Sequence, residues 1–182
     1  MRAVTKRVSR RSATSSIAGQ QAVKPRSRAE QYAAGKALRE RCPRVEHARW
    51  KASAKRRPAV AMVLEAEKGR LPQLLPLRHG RMVRSAFTFY RGSALAMAAD
   101  LASTPSSGLR VQCCGDAHLS NFGGFATPER RILFSINDLD ETLPAPWERD
   151  LKRLTASLVI ACRDTGLGES FAKEAALTCV RS

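Results

Sequence analysis

Hydrophobic and polar positions along this chain recur mostly at helical spacing, which predicts a helix-rich protein. Ser27 and Glu30 have the spacing of a capping box, so we predict a helix that begins there and ends near residue 41. Two prolines within 71–77 predict an irregular apolar connector. The other stretches with helical spacing of apolar residues are 60–68, 92–103, 148–163 and 170–180.

Short apolar runs in the second half of the chain predict three strands. The first covers 109–113 and is expected to be buried. The other two are Phe122–Ala126 and Ile132–Ile136, and the turn residues over 127–130 predict a β-hairpin between them. The acidic, proline-containing segment over 137–147 is expected to be a loop. Together these elements predict an α+β fold, rich in helices, with a short β-hairpin.

The predicted core is aliphatic, because aromatic residues make up only 5% of the chain while hydrophobic residues make up 43%. A length of 182 residues is enough for one domain and a tail. The helical positions expected to face the core are Leu95, Ala98, Ala99 and Ala102, and then Leu151, Leu154, Leu158 and Val159.

Positive charge is concentrated at the front of the chain. The net charge is +16, and residues 1–58 hold 17 Lys and Arg against 3 Asp and Glu. Residues 1–27 have no apolar period, so we predict a disordered basic tail, with an organellar transit peptide as the alternative. The cationic front also predicts nonspecific nucleic-acid binding through residues 1–58. Only Tyr32 and Trp50 supply rings for base stacking there, and a merely solubilising tail is the competing explanation.

Cysteine usage and hydropathy predict a cytoplasmic protein with no membrane span. The five cysteines are odd in number and lack C-x-x-C spacing, which fits neither a disulfide framework nor a zinc site. No apolar run approaches the ~20 residues that a membrane span needs. No feature of the sequence indicates an oligomeric state.

The segment from Gly115 to Asn121 carries the candidate chemistry. Phosphoryl transfer from Mg-ATP to a hydroxyl needs one carboxylate that orients the hydroxyl and accepts its proton. It also needs an amide oxygen and a second carboxylate to hold the metal. Asp116 fits the first role and Asn121 the second, and the hairpin is expected to return Asp138 to Asn121 as the second carboxylate. Asp140 is the alternative metal ligand, and the expected partner is a small hydroxyl-bearing substrate.

The chemistry-bearing residues follow one another in a recognisable order. They are Gly115, Asp116, His118, Asn121, Asp138, Pro144, Pro146, Asp150 and Leu151. This order and spacing resemble the aminoglycoside- and choline-kinase-like branch of the protein-kinase-like fold. The resemblance implies a kinase-like core over about 87–182, with Mg²⁺ and ATP as cofactors. It implies a catalytic role for Asp116 and His118, and metal binding by Asn121, Asp138 and Asp140.

Two features depart from that kinase-like pattern. Cys114 stands two residues before the candidate base, where the kinase-like branch has a histidine. Upstream, the chain has no glycine-rich loop and no Val-Ala-x-Lys strand to cover the phosphates. Arg81, Arg84 and Arg91 are the nearest cationic candidates for a phosphate contact, and we assign Arg81 and Arg91 to cofactor binding.

A second resemblance covers nearly the whole chain beyond residue 28. The matching strings are 81–82, 89–92, 97–101, 111–112, 115–119, 121–123, 128–130, 137–138, 140–144, 146–148 and 150–154. They are similar to a bacterial family named domain of unknown function 2252, which has no assigned reaction. The resemblance implies that 28–182 is part of this family's domain. Because members of the family are longer, the chain is expected to be a front fragment of it.

Several of these residues have alternative explanations. Asp138 and Asp140 after an apolar strand also fit the D-x-D-x-T pattern of haloacid-dehalogenase-type phosphatases, with Asp138 as nucleophile and Asp140 as acid and base. His118 is alternatively a hydrogen-bonded loop residue, and Arg91 alternatively pairs with a carboxylate. Asp150 lies in the first turn of a predicted helix, where a negative charge is favourable without any role in a site.

Overall fold

Seven helices and four strands follow one another in the part of the chain that the structure describes. The structure is a computed structural model that describes residues 26–182, so all but the last two residues of the predicted tail over 1–27 lie outside it. The helices are α1 (Arg28–Arg41), α2 (Ala59–Ala66), α3 (Leu75–Met82), α4 (Ala86–Arg91), α5 (Ala94–Leu101), α6 (Glu148–Asp164) and α7 (Glu169–Arg181). The strands are β1 (Arg110–Cys113), β2 (Phe122–Ala126), β3 (Ile132–Ile136) and β4 (Leu143–Pro146). Short 3₁₀ turns cover Arg44–Ala48, Pro72–Leu74 and Leu119–Asn121.

The predicted start of α1 is confirmed. The hydroxyl of Ser27 accepts the backbone N–H of Glu30 at 3.3 Å, and the Glu30 carboxylate accepts the backbone N–H of Ser27 at 2.6 Å. These two bonds satisfy donors that the first helical turn leaves without a partner.

The connector predicted over 71–77 is partly wrong. Pro72 begins a 3₁₀ turn, and Pro76 lies in the first turn of α3. A proline is tolerated there because the N–H that it lacks has no partner at a helix start. The two prolines therefore begin helical segments instead of preventing them.

The strands form two separate antiparallel pairs. The predicted hairpin is confirmed, with Phe122 of β2 opposite Ile136 of β3. The other pair joins β1 to β4, which lies inside the segment expected to be a loop, so that expectation is wrong. In a two-stranded sheet each strand has one edge without a partner strand. Prolines are accepted at such edges, so Pro144 and Pro146 fit in β4 although they lack an N–H group. The burial expected for β1 is also wrong, since only Cys113 of that strand is buried.

The expected core faces of two helices differ from those observed. In α5 the expected positions are all exposed, and the buried residues are Ala96 and Leu101. In α6 the expected leucines are only half-buried. The buried residues of α6 are Glu148, Arg153, Ser157 and Cys162. Polar side chains occupy the inward face of α6 because that face meets a loop that needs hydrogen bonds.

The core is built mainly from small and sulfur-containing side chains. Its buried hydrophobic residues are Cys42, Met62, Val63, Met82, Ala96, Leu101, Cys113, Cys114, Ala117, Ala145, Cys162 and Ala172. Helix α6 runs through this core, packing against α4, α5, α7 and the turn at Leu119–Asn121. The cysteines are free thiols, as predicted. No helix over 26–182 is both long enough and apolar enough to cross a membrane. The fold is α+β, as predicted.

Candidate functional site

The loop that follows β1 is held from two sides. Asp150, in the first turn of α6, accepts hydrogen bonds from the backbone N–H groups of Cys114 at 2.6 Å and Gly115 at 3.1 Å. Gly115 has a φ angle of 84°, and a Cβ at this position would clash with the backbone carbonyl of Glu141. Glycine meets both requirements, because it has no Cβ and adopts positive φ readily. Asp150 therefore has a role in the site beyond a favourable charge at a helix start.

The carboxylate of Asp116 is paired with a buried arginine from α6. Arg153 Nε donates to Asp116 Oδ1 at 2.6 Å, and Arg153 Nη2 also contacts this oxygen. The side chain of Arg153 is 3% exposed and that of Asp116 is 18% exposed. The ion pair engages Oδ1 and leaves Oδ2 without a hydrogen bond in the part of the chain that is described.

Helix α4 supports the guanidinium of Arg153. The guanidinium carbon lies 4.5 Å from the centroid of the Tyr90 ring, and Nη2 donates to the Tyr90 carbonyl at 3.0 Å. In return, the Tyr90 hydroxyl donates to the Arg153 carbonyl at 2.8 Å. Burial raises the pKa of Tyr90 to about 12, so its hydroxyl keeps its proton and remains a donor at neutral pH.

His118 lies buried beside Asp116. Its Nε2 is 3.7 Å from Asp116 Oδ2, and its Nδ1 has no hydrogen-bond partner within residues 26–182. Burial lowers the pKa of His118 below its ordinary value of 6.5, and this outweighs the opposite effect of Asp116. The ring is therefore neutral at neutral pH. The alternative explanation, a hydrogen-bonded loop residue, requires a hydrogen bond that Nδ1 of His118 does not form within residues 26–182.

The side-chain amide of Asn121 is oriented by the same loop. Its Nδ2 donates to the Asp116 carbonyl at 2.8 Å, and the residue is only 8% exposed. This bond fixes the plane of the amide. Its Oδ1 accepts no hydrogen bond from another described residue, so it remains available as an oxygen ligand.

The hairpin returns the chain to this loop, as the sequence predicts. The backbone N–H of Asn137 donates to the Asn121 carbonyl at 2.9 Å, which places Asp138 one residue beyond that contact. The Cys114 thiol donates to the Asp138 carbonyl at 3.3 Å. Asp138 Oδ1 accepts the backbone N–H of Asp140 at 3.1 Å, and both carboxylates are exposed.

One cleft of about 900 Å³ brings the predicted site residues together. Those that line it are Asp116, His118, Asn121, Asp138, Asp140, Arg81 and Arg91. Arg84 is exposed and does not line the cleft. Among the salt bridges of the described chain none includes Arg81 or Arg91, so the alternative pairing of Arg91 with a carboxylate is not observed.

The oxygen donors in the cleft fit a hard cation that is only partly coordinated by protein. Over residues 26–182, no group of three or more His, Cys, Asp or Glu side chains is placed to hold a metal ion. Asn121 and Asp138 nevertheless line the same cleft, and the backbone bond from Asn137 to the Asn121 carbonyl places Asp138 one residue beyond that contact. Mg²⁺ usually keeps several waters and binds through one or two carboxylates together with substrate phosphates. The donor set therefore fits Mg²⁺ that is bound together with a phosphate compound.

Sequence reasoning missed the polar stripe on α6 that holds the loop. Asp150, Arg153 and Ser157 are spaced three and four residues apart, so they share one face of the helix. Ser157 Oγ accepts the backbone N–H of Leu119 at 2.9 Å. This spacing is visible in the sequence, but the leucines of α6 suggested a different inward face.

The described residues thus form an α+β protein with a cleft built around an Asp-His-Asn loop. The family model described as "Uncharacterized protein conserved in bacteria (DUF2252)" matches residues 70–182. The chain belongs to this family, which confirms the resemblance seen in the sequence strings. No curated protein and no solved structure matches the chain.

Proposed function

We propose that this protein is an ATP- and Mg²⁺-dependent phosphotransferase that acts on a small hydroxyl-bearing molecule. One observation carries the proposal: a single cleft is lined by Asp116, Asn121 and Asp138 and also by the cationic side chains of Arg81 and Arg91. Catalysis of phosphoryl transfer consists mainly of positioning and charge stabilisation, and these residues supply the groups that it needs.

The candidate base is Asp116. Its Oδ1 is engaged by Arg153, so Oδ2 is the oxygen that would orient the acceptor hydroxyl and receive its proton. The neutral ring of His118 lies beside Oδ2 and would hydrogen-bond the same hydroxyl. Burial of the ring keeps water from competing for this contact.

The candidate metal ligands are Asn121 and Asp138. The bond from Asn121 Nδ2 to the Asp116 carbonyl fixes the plane of the amide, and Oδ1 would then bind the metal. The backbone N–H of Asp140 donates to Asp138 Oδ1 and helps to hold that carboxylate in place. Bound Mg-ATP would supply the transferable phosphoryl group, with the cation neutralising phosphate charge.

The cleft is also large enough for a nucleotide. Its volume of about 900 Å³ lies at the upper end of the ~300–1,000 Å³ typical of ligand pockets. Arg81 and Arg91 would contact phosphate oxygens, and the apolar side chains of Leu71, Leu74 and Leu95 also line the cleft and would pack against a base. These cations take the place of the glycine-rich loop and Val-Ala-x-Lys strand that the sequence lacks.

Thermal unfolding with and without Mg-ATP tests the proposal. Ligand at ~100 times its dissociation constant adds roughly 2.7 kcal/mol to the free energy of unfolding. For a chain of this size the midpoint should rise by about 5–10 °C. The rise should disappear when ATP is added with a chelator in place of Mg²⁺. A cooperative transition that Mg-ATP does not move contradicts the proposal.

A further inference from the structure

Arg153 is a buried arginine whose guanidinium contacts the carboxylate of Asp116, the candidate base. Burying a charge is costly, and replacing a buried ion pair with apolar side chains is often neutral or stabilising. The same helix carries Arg163, whose ion pair with Glu169 is largely exposed and needs no desolvation. The buried position of Arg153 is therefore poorly explained by stability alone, and it calls for an explanation from geometry.

Three contacts fix the plane of the Arg153 guanidinium. Nε and Nη2 meet Asp116 Oδ1, Nη2 also meets the Tyr90 carbonyl, and the Tyr90 ring lies against the guanidinium face. A lysine keeps the charge but lacks the planar set of donors, so it cannot make these contacts together. The position of Asp116 thus depends on an arginine, and not only on a positive charge.

We infer that Arg153 is a positioning residue that holds Asp116 Oδ1 so that Oδ2 alone faces the acceptor. Oδ2 forms no hydrogen bond within residues 26–182 and lies 3.7 Å from His118 Nε2. Asp116 lines the cleft and its side chain is 18% exposed, so an acceptor in the cleft can approach this carboxylate. Tyr90 takes part indirectly by holding Arg153. This inference rests on the proposed phosphotransferase function.

The test uses Mg-ATP as the probe and water as the acceptor. The water oxygen bonds to the γ-phosphorus, the bond from that phosphorus to the bridging oxygen breaks, ADP leaves, and the proton passes to Asp116 Oδ2. Arg153→Lys is compared with Arg163→Lys, which alters an exposed ion pair on the same helix. We expect Arg153→Lys to keep the wild-type KM and the thermal shift with Mg-ATP, while kcat falls about 100-fold because the base is misplaced. Arg163→Lys should match the wild type.

The outcomes separate this inference from the proposed function. If Arg153→Lys and Arg163→Lys have equal kcat while both bind Mg-ATP, the positioning role is wrong and the phosphotransferase proposal stands. A wild-type chain without Mg-ATP-dependent hydrolysis overturns the proposed function and the inference together. If Arg153→Lys does not fold, Tyr90→Leu replaces it, because this change removes the ring but keeps the ion pair. Its kcat should fall about tenfold at unchanged KM, and an unchanged kcat rejects the inference.

Discussion

The carboxylate of Asp150 accepts the backbone N–H of Cys114 at 2.6 Å, which places the first turn of α6 directly against the Asp-His-Asn loop. Further along the same face, Arg153 pairs with the loop carboxylate and Ser157 accepts the N–H of Leu119. A single helix face thus holds the loop at three successive points. The geometry of the site therefore depends on the position of α6.

Replacing Asp150 with asparagine should loosen this attachment. Asparagine presents one neutral acceptor oxygen where the carboxylate presents two charged ones, so one of the N–H groups of Cys114 and Gly115 loses its acceptor and the other keeps only an uncharged one. We expect the free energy of unfolding, measured with urea, to fall by about 1–3 kcal/mol. Asp164→Asn, at the exposed end of the same helix, is the control and should change it by less than about 0.5 kcal/mol. Equal stability of the two variants would contradict the role given to Asp150.

Gly115→Ala should destabilise the protein more than an ordinary glycine substitution. The new Cβ meets the Glu141 carbonyl, and the positive φ angle disfavours alanine by roughly 1–2 kcal/mol before any clash is counted. Gly35→Ala is the matched control, because Gly35 lies inside α1 with nothing within 4 Å of its Cβ position. It should stabilise the protein by about 0.5–1 kcal/mol. Denaturant unfolding of both variants should give shifts of opposite sign.

Glu148 should make stability depend on acid pH. Its burial opposes ionisation, but hydrogen bonds from the side chain and backbone of Ser107 outweigh this effect and lower the pKa of Glu148 below 4.5. The stabilisation is therefore fully present above pH 4.5 and is lost as the pH falls through the lowered pKa, because the unfolded chain binds the proton first.

The free energy of unfolding between about pH 6 and pH 3.5 measures this contribution. The wild type should lose more stability over this range than Glu148→Gln, which has no proton to bind. Ser107→Ala removes the hydroxyl donor but keeps the backbone donor, so its loss should lie between the two. Identical pH profiles for the wild type and Glu148→Gln would rule out the contribution.

The two acidic positions of the candidate site should respond differently to substitution. Asp138→Asn is expected to weaken the affinity for Mg-ATP, measured from the thermal shift, by at least about tenfold, or roughly 1.4 kcal/mol, since the proposed metal ligand is lost. Asp116→Asn should keep that thermal shift and abolish phosphoryl transfer to water, measured as ATP hydrolysis. Glu129→Gln, an exposed change at the far end of the hairpin, is the control. If Asp138→Asn abolishes phosphatase activity and Asp116→Asn has no effect, the haloacid-dehalogenase-type alternative is favoured instead.

The sequence alone determined the features that depend on near neighbours in the chain. The capping box at Ser27 and the hairpin of β2 and β3 each follow from residue types within a few positions. Such features are predictable because the hydrogen bonds that form them join residues only a few positions apart in the chain. The grouping of Asp116, Asn121 and Asp138 followed as well, since a short hairpin joins the last two.

The tertiary structure decided everything that depends on distant pairs. Arg153 is 37 residues from Asp116 and 63 from Tyr90, and β1 finds its partner strand in a segment whose prolines suggested a loop. The apolar pattern of α6 pointed its leucines inward, but the loop's unpaired N–H groups and carboxylate needed polar partners there. The need to pair those buried polar groups determined which face of α6 turned inward. The spacing of residues within α6 contains no information about polar groups on a distant loop.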